Sequence, residues 1–391
     1  MSAKDKLKVR VYGVRFGDAI LIEVPDKGKT GKAETRHILI DVGNAASGEE
    51  GSVDVFEPVV DSILEKLDGK PLDLYIMTHE HMDHVKGLLY VVSKFGKKIK
   101  VNNSWITASA SPDYYEKHPD SGKKKLEFRS IYESIHRFLG AVPGHRNEWL
   151  NTVMEINNPR KTDDCVTYLR EMAGKTEYVH RETDISRLNP FKEVQFEIWA
   201  PEEDTSAYYG RTRHMALNVN AVDVKKGNEF IHELPVPPQG VDVGDFYNLV
   251  DMRRRGYMDN ALAIDKAANN TSVVFCLTWR GWNLLFTGDA EQKSWELMDK
   301  YNKLKPVHFL KVSHHGSSNG VPPTRLLDKI FPIEPADSKK RYAVVSTYPD
   351  AYNGIPAKEL LSRELELRCE LKYVDKGLVK DGEYLEFEFE G

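Results

Sequence analysis

The sequence predicts an α/β fold in which strands and helices alternate and the chemistry sits at strand ends. Three observations lead there. Apolar, β-branched runs of strand length alternate with segments of 3.6-residue periodicity over residues 6–103 and again over 269–391. The run Leu72-Asp73-Leu74-Tyr75-Ile76-Met77 leads directly into Thr78-His79-Glu80-His81-Met82-Asp83-His84, which places three imidazoles and an aspartate within six residues. Asp41, Gly288-Asp289 and His314-His315 close three other strand-like runs.

Composition sets the outer bounds. A chain of 391 residues, 40% apolar and 29% charged, suffices for a large core. A net charge of −5 argues against wholesale attraction to nucleic acid, though not against a local basic groove. The cysteines, Cys165, Cys276 and Cys369, are odd in number and far apart, so neither a disulfide framework nor a cysteine zinc site is expected. Residues Met1 to Lys6 form no signal-type apolar run, and no stretch of about 18 apolar residues occurs. The expectation is a soluble, cytoplasmic protein without membrane attachment.

In order, residues 7–12 and 19–24 read as paired strands, 37–43 as a third strand ending in Asp41, and 56–67 as a helix. The histidine strand (72–77) follows, then a helix through residues 87–92. From residue 104 to 194 the pattern turns polar and helical (126–139, 147–156, 163–172), with balanced charge, and reads as an insertion separate from the sheets. A core strand at 195–203 precedes a second insertion, 204–268, read as loop-rich from its prolines at 235, 237 and 238. Strand patterning resumes with a hairpin across Arg280-Gly281. A helix (292–301), a strand (307–312) ending in His314-His315, a helix (324–330), a strand (342–346), a helix (357–364) and two last strands complete the chain.

Imidazole and carboxylate suit zinc and neighbouring first-row ions. On an extended segment His79 and His81 point the same way, and Asp83 and His84 follow on a turn entering a helix. That gives ligand pairs for two ions. Strand ends followed by loops are where sheet scaffolds hold ligands with fixed geometry.

The signature H-x-H-x-D-H, here His79-Glu80-His81-Met82-Asp83-His84, resembles that of the metallo-β-lactamase superfamily over roughly residues 6–103, 195–201 and 269–391. Within it the chain is similar to the hydrolase domain of the competence protein ComEC and its stand-alone relatives. Gly17-Asp18-Ala19-Ile20-Leu21-Ile22, Asn270-Thr271-Ser272-Val273-Val274, Thr287-Gly288-Asp289 and Leu310-Lys311-Val312-Ser313-His314-His315-Gly316-Ser317 carry that likeness. The resemblance implies an αβ/βα sandwich, two mixed sheets face to face with helices outside. It also implies two divalent ions, zinc first and manganese second. His79 and His81 would hold one, Asp83, His84 and His314 the other. Asp289 would bridge them, and Asp41 would orient a ligand from behind. His314 is preferred to His315 because it directly ends its strand, which leaves His315 for substrate. The superfamily's further histidine is missing from Val101-Asn102-Asn103-Ser104-Trp105-Ile106; His118, His136, His145, His180 and His214 are the substitutes the insertions offer.

The chemistry expected is hydrolysis by a water activated between two cations, with Asp83 or Asp289 accepting its proton and His315 serving the leaving group. No serine or cysteine nucleophile is then needed. A phosphodiester substrate, nucleic acid included, is the first expectation. Arg211, Arg213, Lys225-Lys226 and Arg253-Arg254-Arg255 in the second insertion suit phosphate oxygens, and Tyr208, Tyr209, Tyr247 and Tyr257 among them suit stacked bases. The rivals are a small-molecule hydrolase (lactone, thioester, phosphocholine ester or cyclic nucleotide) and a non-catalytic module using the insertions as a protein-binding surface.

Overall fold

Apolar alternation builds two sheets whose inner faces share one core. The computed structural model describes residues 5–28, 31–44, 55–141, 148–210, 225–226, 229–230, 243–348, 354–375 and 378–391. The first half contributes β1 (Lys6–Tyr12), β2 (Ala19–Lys27), β3 (Ala33–Val42), α1 (Phe56–Leu67), β4 (Leu72–Met77), α2 (Met82–Phe95) and β5 (Val101–Thr107). Next come α3 (Tyr114–Lys117), α4 (Pro119–Ala141), α5 (Glu148–Ile156), α6 (Pro159–Glu171), β6 (Ala173–Val179), α7 (Ile185–Leu188) and β7 (Val194–Ala200). The short pair β8 (Lys225–Lys226) and β9 (Glu229–Phe230) precedes α8 (Val243–Asn269). The second half holds β10 (Val274–Trp279), β11 (Trp282–Phe286), α9 (Gln292–Lys300), β12 (Phe309–Lys311), α10 (Thr324–Ile330), β13 (Tyr342–Ser346), α11 (Lys358–Leu365), β14 (Glu370–Val374) and β15 (Tyr384–Glu390).

One sheet has seven strands in the order β15-β1-β2-β3-β4-β5-β6, the other six in the order β14-β13-β12-β11-β10-β7. Both are mixed: β3 to β6 run parallel, as do β11 to β14, beside antiparallel neighbours. Ile20, Ile38, Leu74 and Trp105 of one sheet pack with Phe275, Leu277, Phe286 and Phe309 of the other in a single buried cluster. Outside, α1, α2 and α6 cover the first sheet through Val59, Ile63, Val85, Leu88 and Leu169. The second sheet is covered by α9, α10 and α11 through Trp295, Leu326, Leu327 and Leu361. The architecture is an αβ/βα sandwich.

The segment expected as an insertion at 104–194 is not separate from the sheets. Its β6 is the edge strand of the seven-stranded sheet, paired in parallel with β5, and α6 lies in the helix layer against α2. Lys175 and Glu177, two residues apart and paired with each other, leave one face of this edge strand polar, so its strand pattern does not stand out among polar helices. The helical excursion is α3 to α5. The second insertion, expected to be loop-rich, contains the 27-residue α8. Ala261 of α8 packs with Tyr132, Ile135, Leu150 and Val153 of α4 and α5, so the two excursions share one apolar cluster.

Parallel pairing aims the C-terminal ends of β3 and β4, and of β11, β12 and β13, at one place. Val273 N donates to Thr78 O at 2.9 Å, tying the two sheets together there. Close approach requires Gly43, where a Cβ would lie 2.3 Å from the Asp83 carbonyl carbon and the His84 nitrogen. Among the described residues no helix is long and apolar enough to cross a membrane.

Candidate metal centre

The pocket is built from histidines anchored at one ring nitrogen. His84 Nδ1 lies 2.8 Å from Asp41 Oδ2, and its Nε2 faces Asp289 Oδ2 at 3.3 Å. His315 Nδ1 donates to Ser346 O at 2.9 Å, which turns Nε2 to Asp83 Oδ2 at 3.2 Å and Asp289 Oδ2 at 3.3 Å. His79 Nδ1 meets Thr78 Oγ1 at 3.0 Å, and its Nε2 is buried without a hydrogen-bond partner. Metal-binding imidazoles are held this way, one nitrogen tied to a carbonyl, hydroxyl or carboxylate and the other presented. Asp41 stands behind His84, and it also accepts from Thr78 N at 2.9 Å and Thr78 Oγ1 at 2.6 Å. Asp41, at φ 50°, leaves the strand conformation to do so.

Asp83, His84, Asp289 and His315, all buried, offer ligand atoms within 4.8 Å of one another. Their fit to a divalent metal is marked by buried atoms that lack any hydrogen bond: His79 Nε2, His84 Nε2, Asp83 Oδ1 and Asp289 Oδ2. A buried polar atom left so is costly unless something else satisfies it.

Residues 12–151 match the family model described as the metallo-beta-lactamase superfamily. Residues 12–151 are thus similar to that superfamily, and the two mixed sheets flanked by helices have its fold. No curated protein matches significantly. Among solved structures, the chain aligns with the metallo-beta-lactamase fold protein YhfI from Bacillus subtilis at 10% identity and a TM-score of 0.37, covering 99% of this chain and 100% of that one. A long form RNase Z from yeast aligns at 17% identity and a TM-score of 0.17, over 27% of this chain and 15% of that one.

In the pocket His314 and His315 exchange the places expected of them. His314 Nδ1 lies 3.0 Å from Ser317 Oγ and 3.3 Å from Glu291 Oε1, away from the Asp83 group. The cause is backbone: His314 (φ 48°) and His315 (φ 51°) are both left-handed, so strand alternation no longer decides which ring faces inward. His81 Nε2 is bonded to Asn157 Oδ1 at 2.9 Å, a partner from the helical excursion. Of the substitute histidines, His118 lies against Tyr114, His136 against Tyr132 and His180 against Glu182, none of them in the pocket. His145 and His214 lie outside the described residues, as do Arg211 and Arg213. Arg253, Arg254 and Arg255 lie on α8, with side chains, like those of Tyr247 and Tyr257, outside the described ones. Tyr208 is bonded to Glu202 and Tyr209 packs on Phe128, so both serve the insertion.

Sequence reasoning missed Lys311 and Asp18. Lys311 is 1% exposed, and its Nζ pairs with Asp18 and lies 3.4 Å from Asp289 Oδ1. A lysine inside the apolar run Phe309-Leu310-Lys311-Val312 was the available signal. Burial opposes charge on Asp289, yet His315, His84 and Lys311 hold its carboxyl well below the usual range. Burial likewise opposes a charged His84, and Asp289 and Asp83 hold it well above an ordinary imidazole. For His79 burial wins, with His84 and His81 adding to it, and its ring is held well below the ordinary value.

Lys311→Met should destabilise the metal-free protein by about 3–5 kcal/mol in urea unfolding, because two buried carboxylates lose their cation; a change under about 0.5 kcal/mol, the range of ordinary surface substitutions, would contradict that role. His315 gives a pH signature. Burial opposes its charge, but Asp289 and Asp83 raise its pKa from 6.5 to about 9. A folded pKa above the unfolded one stabilises fully below the unfolded value and is lost as pH rises through the folded value. The melting temperature of chelated protein should therefore fall between pH 6.5 and about 9. Metal-loaded protein, whose ligand histidines are already deprotonated, should not show that fall.

Proposed function

We propose that the pocket hydrolyses phosphodiesters with the help of divalent metal ions, zinc first and manganese second. The supporting observation is the set of anchored histidines, His79, His84 and His315, turned onto the buried carboxylates Asp83 and Asp289. When bound, divalent ions supply Lewis-acid activation for displacement at phosphorus. His79 and His81 would hold one, Asp83, His84 and His315 the other, with Asp289 between them. This replaces His314 by His315 in the expected ligand set, following the direction of the two rings.

The chain's own residues supply orientation and charge. Asp41 fixes the ring of His84, and Ser346 O fixes that of His315, so each Nε2 keeps its aim. Asp289, kept ionised by its cationic neighbours, accepts a hydrogen bond from the attacking water and orients it. His315, its Nδ1 given to Ser346 O, presents Nε2 beside Asp83 and Asp289 and is thereby assigned to the ion rather than to the leaving group. Lys311 and Asp18 hold Asp289 in place from below.

The choice of phosphodiester rests on two supports. The Thr287-Gly288-Asp289 and Ser313-His314-His315-Gly316-Ser317 runs resemble the ComEC-like hydrolases. Moreover, α8 reaches the pocket at its C-terminal end, where Asn157 Nδ2 donates to Asp265 Oδ1 at 2.9 Å. Arg253 to Arg255 stand ten to twelve residues earlier on that helix, about 15–18 Å along its axis. A polynucleotide a few nucleotides long spans that distance.

His315→Ala and Asp289→Asn should each lower kcat on a short fluorescent DNA or RNA by about 10²–10⁴-fold or more. Neutralising Arg253, Arg254 and Arg255 together should raise KM at unchanged kcat and flatten the salt dependence. Wild-type protein that cleaves no phosphodiester while opening a lactone or thioester would make the domain a small-molecule hydrolase instead.

A further inference from the structure

A second group of ligand-type side chains lies beside the first and shares no residue with it. Asp265 of α8, Glu291 after β11 and His314 after β12 bring ligand atoms within 4.8 Å of one another. His314 Nδ1 lies 3.3 Å from Glu291 Oε1, and its Nε2 lies 3.3 Å from Asn269 Nδ2. We propose that Asp265, Glu291 and His314 hold a divalent cation at a position of their own, on the side of the pocket that faces the helical excursions.

The buried amide of Asn269 is the independent sign of a missing ligand. Asn269 is 0% exposed, and its Nδ2 reaches Asp265 Oδ2 at 3.2 Å, Glu291 Oε1 at 3.0 Å and His314 Nε2. Its Oδ1 has no hydrogen-bond partner. A single NH₂ thus serves three acceptors while the amide oxygen is stranded. A cation among the three relieves both: the carboxylates no longer need the amide hydrogens, and half a turn about χ2 brings Oδ1 to the ion as a carbonyl-type ligand. Two carboxylates, one imidazole and an amide oxygen suit manganese or zinc.

Charge points the same way. Asp265 and Glu291 are 9% and 4% exposed. Their charge is met by the ring of His314, with His81 acting on Asp265 and Lys266 on Glu291, and the neutral amides of Asn157 and Asn269 stand between them. Two carboxylates converging in a buried site favour a bound cation. The ion would join three parts of the chain, since Asp265 comes from the second excursion while Glu291 and His314 follow strands of the six-stranded sheet. Asn157 extends the link to the first metal position, accepting from His81 at 2.9 Å while donating to Asp265.

The inference needs no phosphodiester and does not rest on the reaction above. It is tested by metal per chain, measured by plasma mass spectrometry on protein stripped with chelator, reloaded with Mn²⁺ or Zn²⁺ and desalted. Asp265→Asn, which keeps an acceptor for Asn157, and Glu291→Gln should each carry one ion fewer than wild type. In a His79→Ala/Asp83→Asn background, which removes a ligand from each of the other positions, one ion should remain and still raise the melting temperature. Adding Asp265→Asn to that background should abolish both. Equal ion content in wild type, Asp265→Asn and Glu291→Gln would overturn the proposal, as would a background protein, folded by circular dichroism, whose melting temperature does not respond to metal.

Discussion

Keeping Asp289 ionised in full burial is the constraint on which the rest of the pocket depends. An isolated carboxylate taken out of water costs several kcal/mol even after relaxation. Asp289, 1% exposed, is met by His84 and His315 at 3.3 Å each and by Lys311 at 3.4 Å. Each of these needs its own support, so the demand spreads outward. Asp41 holds His84, Ser346 holds His315, and Asp18 pairs with Lys311 and with the Ser346 hydroxyl. The ends of β3, β4, β11, β12 and β13, from two sheets, are thereby fixed to one another by polar contacts, at the place where their apolar cores stop.

The helical excursions extend this arrangement rather than sitting apart from it. Asn157 and Asp265 reach the pocket from α5 and α8, and their helices are joined through Tyr132, Ile135, Val153 and Ala261. One side of the pocket is therefore formed by strand ends of the two sheets and the other by the insertions. In such folds substrate choice belongs to loops and insertions placed around a rigid scaffold. Among the described residues, α5 and α8 are the excursion helices that reach the pocket, through Asn157 and Asp265.

Much of the fold was legible in the sequence because period-2 and period-3.6 patterns are strong in buried elements. The β4 span, 72–77, and α1, 56–67, coincide with expectation. The hairpin at Arg280-Gly281 was marked by its glycine, and both residues adopt positive φ (44° and 80°). What was misread had a physical reason. As an edge strand half-covered by polar helices, β6 carries little apolar alternation. The α8 sequence is polar over much of its length and follows a proline-rich stretch, which obscures its helical period. Within the pocket, the H-x-H-x-D-H spacing was sufficient to place Asp83 and His84. The choice between His314 and His315 was not accessible, because it turns on two left-handed residues in succession. Asp265 and Asn157 were invisible for another reason: only tertiary packing brings them to the pocket.

The central claim is that His315, not His314, completes the group of Asp83, His84 and Asp289. The most direct measurement is anomalous diffraction at the metal edge from crystals of zinc- or manganese-loaded protein. The account predicts an anomalous peak coordinated by His315 Nε2, His84 Nε2 and the carboxylates of Asp83 and Asp289. A peak bound there by His314 with His315 turned away, or no peak within that group in fully loaded protein, would contradict it.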